Sequence, residues 1–257
     1  MVEHKAIQPG SERSLDNPSR LSPEDQAQFQ NGVGLIRTSA VDPTYYNQRY
    51  FSADHVAYTE GYNLDGRLEK YADAISNIER LLDQPVLDLG CGPGYIVEGL
   101  RRAGVEAQGV DISREAIEQI SPEATRPLLH VAPLTALPFA DGEFASGYSF
   151  HVMEHLTLPE LEKAFAEISR VIKDKLYLII PTWDSLINQD LFAQIVLNPT
   201  HRVIVNRQWW IDQFARFGWE HNGSVAGQLD RIDRGWVFFF ERNQDDSQDT
   251  TLPQRVR

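Results

Sequence analysis

Cysteine is almost absent from this sequence, with one residue, Cys91, in 257. A single thiol closes no intrachain disulfide, so the core has to hold the fold, and a reducing, intracellular compartment is expected. Long apolar runs are missing as well. No segment approaches the roughly 20 apolar residues of a membrane helix, and the opening MVEHKAIQPGSERSLDNPSR is polar and broken by proline, unlike a signal peptide. A soluble, cytoplasmic protein with no membrane partner is expected. Positive charge is also short, because 24 Lys and Arg against 37 Asp and Glu give a net charge of -13. Such a surface repels phosphate backbones, which argues against nucleic acid and for a small neutral or cationic partner.

What is present is apolar material for a core, 42% of the chain. That suits one compact domain, since single cores grow to roughly 250 residues. Residues 1–20 and 243–257 are polar and lack aromatics, so both are expected to be mobile tails. Ser22 before Pro23 and Asp42 before Pro43 each pair an N-cap with a proline at the first helical position. They predict short helices over 23–31 and 43–51, within an N-terminal helical segment spanning 21–65. Over 66–83, Leu68, Tyr71, Ile75, Ile78 and Leu82 share one helical face. From Val86 strands predicted at 86–89, 106–110, 128–131, 144–150 and 175–180 alternate with helices at 94–103, 114–120 and 158–173. The last of these helices opens on a Thr157 and Glu160 capping box. This alternation implies an α/β fold, a doubly wound, mostly parallel sheet with helices on both faces. Helices near 184–196 and 206–217 and a strand over 235–242 then break the rhythm.

The sharpest feature is VLDLGCGPGYIVEGL, 86–100. Asp88 ends a strand, and Gly90, Gly92 and Gly94 make a turn where a ligand can approach bare backbone at the start of a helix. The common dinucleotide fingerprint asks for glycine at 95, where Tyr95 stands, so a dinucleotide-dependent oxidoreductase is the weaker alternative. Twenty-three residues after Asp88 comes Asp111, at the tip of the next strand. An acid there is placed to accept from both hydroxyls of an unphosphorylated ribose.

With VDIS, LPFADGEF and HVMEHL following in order, residues 84–182 resemble a class I S-adenosylmethionine-dependent methyltransferase of the small-molecule type. The resemblance implies a Rossmann-like seven-stranded sheet of order 3-2-1-4-5-7-6 with its last strand antiparallel, a domain over 66–242, and a substrate-specificity insertion over 183–217. It implies S-adenosyl-L-methionine as cofactor. Gly90, Cys91, Gly92 and Gly94 would surround its methionine part and Asp88 its ammonium; Asp111 would bind the ribose. Ile112 would pack on the adenine, Leu134 and Thr135 would meet its edge, and Phe150 would face the methionine. The acid often found before LPF is replaced by Pro133.

A sulfonium methyl needs an aligned nucleophile and, for a hydroxyl acceptor, a base. His151 and His155, just beyond the strand 144–150, are the candidates. They also form His151-Val-Met-Glu154-His155, formally the H-x-x-E-H pattern of zinc peptidases. That pattern needs an unbroken helix and a third ligand, whereas here a strand hands over to a loop, and no metal is expected. The resemblance implies that the N-terminal helical segment 21–65 is a lid over the cofactor; Tyr45, Tyr46, Tyr50 and Tyr58 crowd it, and His201, Arg202 and Trp209 lie in the insertion. These are the candidate acceptor contacts, with Arg202 and Arg207 suited by residue type to a carboxylate or phosphate, while Trp210, Phe214 and Phe217 have the spacing of core residues. The expected reaction is in-line methyl transfer to oxygen or nitrogen of a small metabolite. A cofactor-binding scaffold without catalysis is the other alternative.

Overall fold

The computed structural model describes residues 34–47, 50–51, 63–185, 195–196, 198–230 and 235–242. The first element is a two-residue strand, β1 (Leu35–Ile36). Asp42 then caps the turn Pro43–Tyr45, accepting from Thr44 N at 2.9 Å and Thr44 Oγ1 at 2.7 Å. The cap and the N1 proline are as predicted, but the helix is one 3-10 turn. The predicted helix over 23–31 lies outside the described residues, as do both tails.

The single helix expected over 66–83 is two, α1 (Leu64–Lys70) and α2 (Ala72–Leu81). It begins early because Asn63 caps it, taking Gly66 N at 2.9 Å. It breaks at Tyr71, whose ψ of 14° leaves the helical well and whose ring lies stacked on Phe150, centroids 5.8 Å apart. The alternation that follows is as expected: β2 (Val86–Leu89), α3 (Tyr95–Arg102), β3 (Ala107–Asp111), β4 (Leu129–Val131), β5 (Phe144–Phe150), α4 (Leu158–Val171) and β6 (Ile172–Ile179). Residues Ala116–Ile120 form one π-helical turn rather than an α-helix. In the capping box at α4, Glu160 Oε2 accepts from both Thr157 N, 2.8 Å, and Thr157 Oγ1, 2.7 Å. The last third holds β7 (Val203–Ile204), α5 (Arg207–Ala215), β8 (Trp219–His221), α6 (Gly223–Leu229) and β9 (Val237–Arg242).

Seven strands form the main sheet in the order β4-β3-β2-β5-β6-β9-β8. The first five are parallel, β9 runs antiparallel to β6, and β8 antiparallel to β9. This is the expected 3-2-1-4-5-7-6 order. Each face carries its own core. One is built on Leu87, Leu89, Phe165, Trp210, Phe214 and Phe240, and the other on Val86, Ile78, Leu100, Tyr148, Tyr177 and Phe239. Trp210 and Phe214 are fully buried and Phe217 packs against the same core, the roles their helical spacing predicted. β1 pairs antiparallel with β7, tying the N-terminal segment to the insertion after β6. Arg37 reinforces the tie, its Nη1 donating at 2.9 Å to the carbonyls of both Asn198 and His201. No described helix is long and apolar enough to cross a membrane.

Candidate functional site

Three parallel strands end side by side, β2 at Leu89, β3 at Asp111 and β5 at Phe150, and the glycine turn lies across their tips. Gly90 N and Cys91 N both donate to Val110 O, at 2.8 and 3.0 Å, which folds the turn back over β3. Gly90, Gly92 and Gly94 have φ of 89°, 52° and 76°, the left-handed region that glycine enters without penalty. Asp111 fastens the turn from the neighbouring strand. Its Oδ2 accepts from Gly92 N at 2.8 Å and its Oδ1 from Ser113 N at 2.7 Å, and the Ile112 backbone also donates to it, so the carboxylate retains accepting capacity for a ligand hydroxyl. Ile112 beside it is one of the few large apolar side chains left exposed, at 38%.

Asp88 is buried at 4% exposure, with Tyr148 Oη donating to its Oδ2 at 2.8 Å. Burial pushes its pKa up to about 8; the Tyr148 hydrogen bond opposes that rise and the charge of Asp111 adds to it. A half-satisfied carboxyl in this position suits a cationic group. Tyr148 went unnoticed in the sequence because only the register shows it, facing Asp88 across the β2–β5 pair.

Residues 87–180 match the methyltransferase-domain family. The ubiquinone biosynthesis O-methyltransferase of Alkalilimnicola ehrlichii is 28% identical over 132 residues, 49% of this chain and 51% of that relative. The malonyl-acyl-carrier-protein O-methyltransferase of Erwinia billingiae is 30% identical over 114 residues, 44% of this chain and 45% of the relative. The chain thus spans about half the length of these curated relatives. Residues 87–180 are thus similar to a methyltransferase domain. In fold the chain is similar to magnesium protoporphyrin IX methyltransferase from Synechocystis, crystallised with SAH, at TM-score 0.54 and 17% identity, covering 79% of this chain and all of that one. It is also similar in fold to the 4+2 cyclase SpnF, TM-score 0.50 and 13% identity over 82% of this chain and 98% of that one. Fold alone therefore does not identify the reaction.

The cofactor of this methyltransferase class is S-adenosylmethionine, and the residues fit it. The buried Asp88 offers a carboxyl to an ammonium, Asp111 offers lone pairs at the strand tip, and Ile112 exposes an apolar face beside them. Cys91 is buried at 6%, its thiol pushed up by burial first and by the charges of Asp88 and Asp111, and its sulfur fills the space over Gly109. The Leu134 side chain is buried in the core rather than exposed to a ligand, and Thr135 is half-buried. Phe150 sits among Tyr71, Tyr148 and Tyr177, with centroids 5.1 to 5.8 Å away.

Beyond β5 lie the candidate histidines. His151 is the only non-glycine residue with positive φ, 58°, among the described residues. Its backbone N is held by Ile179 O at 2.9 Å and its ring meets Trp236 edge to face. His151 and His155 are not one turn apart on a helix, since Met153–His155 is a lone 3-10 turn, so the zinc-peptidase pairing does not form. His155 turns toward the N-terminal segment, its Nδ1 3.3 Å from Tyr46 Oη, and toward His201, ring centroids 4.8 Å apart. Tyr46 also contacts Tyr50, 5.0 Å, and its carbonyl accepts a hydrogen bond from Ser113 Oγ. Tyr46 therefore reaches both the β3 tip and the histidines, and Tyr45 beside it is exposed. Tyr58 lies outside the described residues.

The insertion residues divide differently from expectation. His201 is buried, its Nδ1 2.6 Å from Ile195 O, and burial pushes it down to about 3. Arg202 is 8% exposed with Nη1 donating to Pro199 O at 2.7 Å and His201 O at 3.2 Å, so it braces the 198–202 loop from inside. Arg207 clamps β9 through Gly235 O, 2.6 Å, and Val237 O, 2.7 Å. Trp209 is half-buried against Trp210. Glu154, named in the sequence only as a member of the H-x-x-E-H pattern, differs from the rest. It is wholly buried, and neither carboxylate oxygen has a hydrogen-bond partner; the nearest nitrogen is His151 Nδ1 at 3.4 Å.

Proposed function

We propose that this protein transfers the methyl group of S-adenosylmethionine to a small organic acceptor, at oxygen in the first instance. Asp111 carries the reading. It links the glycine turn to the tip of β3 and retains the capacity to accept from ribose hydroxyls. Oxygen is preferred because both curated relatives named above are O-methyltransferases. The malonyl-acyl-carrier-protein relative extends the acceptor class to carboxyl groups carried on a protein.

The bound cofactor supplies an already electrophilic sulfonium methyl. The chain's task is to hold the cofactor, align the acceptor and exclude water. We assign the holding to Asp88, Gly90, Gly92, Asp111 and Ile112, and the cover to the Tyr45, Tyr46 and Tyr50 cluster. His151 is the group we place beside the acceptor. Its left-handed backbone is a cost of about 1 kcal/mol that a non-glycine residue carries where its side chain has a use.

Two measurements test the reading. Calorimetric titration with S-adenosylmethionine should show binding by the wild type, weakened in Asp111→Ala by on the order of 1 to 3 kcal/mol. Absence of wild-type binding would remove the reading. His151→Gly should leave the melting temperature unchanged or slightly raised, because glycine accepts that backbone, while kcat/KM for an acceptor found by screening phenols and carboxylic acids falls about tenfold or more. Full activity in that variant would take His151 out of the acceptor site.

A further inference from the structure

Among the described residues, Glu154 is the one carboxylate with both oxygens buried and no hydrogen-bond partner. A carboxylate with both oxygens buried and without a hydrogen-bond donor costs several kcal/mol in any apolar site, unless a cation reaches it. Around it the chain gathers imidazoles rather than guanidiniums or ammoniums. One ligand atom from each of Glu154, His155 and His201 lies within 4.8 Å of the others. The two histidines come from different parts of the chain, His155 from the turn after β5 and His201 from the insertion, and each ring has a backbone carbonyl partner, Thr200 for His155 and Ile195 for His201. A carbonyl accepting one ring N–H fixes the tautomer and leaves the other nitrogen as an unprotonated donor. His201 shows this directly: with Nδ1 2.6 Å from Ile195 O, its Nε2 has the lone pair.

We propose that Glu154, His155 and His201 bind a divalent transition metal ion of the zinc type. Two imidazoles and one carboxylate suit such borderline ions and leave at least one coordination position open. Zinc bonds of about 2.0 to 2.2 Å set tetrahedral ligand separations near 3.3 Å, so the cluster closes by about 1 Å or a little more on binding. Two further groups border the cluster: Tyr46 Oη, 3.3 Å from His155 Nδ1, whose hydrogen bond the ion would replace, and His151 Nδ1, 3.4 Å from Glu154 Oε1; a coordination position beyond the three ligands stays open. Water or an acceptor heteroatom is the ligand for it. The pairing differs from that of the H-x-x-E-H pattern in the sequence: His201, 46 residues beyond His155, takes the place of His151. Because β1 pairs with β7 just beyond His201, the ion also ties the N-terminal segment and the insertion to the tip of β5.

The test is a titration of the full chain, stripped with chelator, with zinc chloride and separately with cobalt chloride. One equivalent of Zn2+ should bind with micromolar or tighter affinity, and Co2+ should show the intense visible absorption of a low-coordinate site. Glu154→Gln keeps the shape of the side chain and should weaken Zn2+ binding by about tenfold or more; His201→Ala should do the same. Each variant is checked by its melting curve, and Zn2+ should raise the wild-type melting temperature but not theirs. Stoichiometric binding that survives in a folded Glu154→Gln protein, or no wild-type site tighter than 100 μM on the zinc titration, overturns the proposal. Neither readout involves methyl transfer, so the outcome is independent of the reaction proposed above.

Discussion

Asp88→Asn should make the ligand-free protein more stable at pH 8 and at the same time deprive it of its cofactor. The wild-type carboxyl is buried, with one donor, and its pKa is raised from the ordinary 3.8 to about 8. An acid whose folded pKa is raised contributes stability that is complete below its unfolded pKa and is lost as pH rises toward the folded value. Between pH 4 and pH 8 this one group therefore subtracts on the order of 3 to 5 kcal/mol from the wild type. Asparagine has the same shape, still accepts from Tyr148 Oη, and does not ionise. Urea unfolding at pH 5 and pH 8 is the measurement, and the stability difference between variant and wild type should move by several kcal/mol in favour of the variant at the higher pH. Parallel pH curves would mean that Asp88 is not the buried acid described. The functional half has the opposite sign, since a bound ammonium restores the carboxylate that burial suppresses. Cofactor binding at pH 7 should release a proton from Asp88 in the wild type, visible as a dependence of the calorimetric heat on the buffer's ionisation enthalpy. In Asp88→Asn that component should vanish and affinity should fall about tenfold or more.

The sheet order was legible because parallel strands buried on both faces leave continuous apolar runs, and because amphipathic helices separate them. The glycine turn was legible for a different reason. Three glycines at alternate positions after an acid have few other uses, and all three do have left-handed backbones. What escaped was contact across the sheet and between distant segments. Tyr148 lies opposite Asp88 only through the β2–β5 register, and Tyr71 breaks a helix beside Phe150, 79 residues away. Glu154 looks like any solvent-facing glutamate in HVMEHL, yet it is wholly buried. The arginines misled for a related reason. Arg202 and Arg207 have the chemistry of anion ligands, but a guanidinium with five donors also serves to satisfy loop carbonyls, and only the folded chain distinguishes the two uses.

Gly90→Ala is expected to cost about 3 to 4 kcal/mol, and the loss has two separable parts. The first is conformational: φ is 89°, and an L side chain there costs roughly 1 to 2 kcal/mol. The second is steric. A Cβ at Gly90 would lie 2.4 Å from Val152 Cγ2 and 2.7 Å from its Cγ1, and overpacking a fixed β-branched side chain costs about 1 to 3 kcal/mol more. Gly104→Ala separates the two, since φ is 85° there but nothing lies within 4 Å of the added carbon, so only about 1 to 2 kcal/mol should be lost. Adding Val152→Ala to Gly90→Ala should recover stability, with a coupling of about 1 to 3 kcal/mol between the two sites. Simple additivity would show that the methyl is accommodated some other way. Rescue of the fold should not rescue activity. Val152 directly follows His151, so the side chain that accommodates the methyl is coupled through one peptide unit to the left-handed histidine that we place beside the acceptor. The doubly substituted protein should therefore unfold near wild-type conditions and still turn over more slowly, because the close approach of Gly90 to Val152 sets the distance between the cofactor turn and His151.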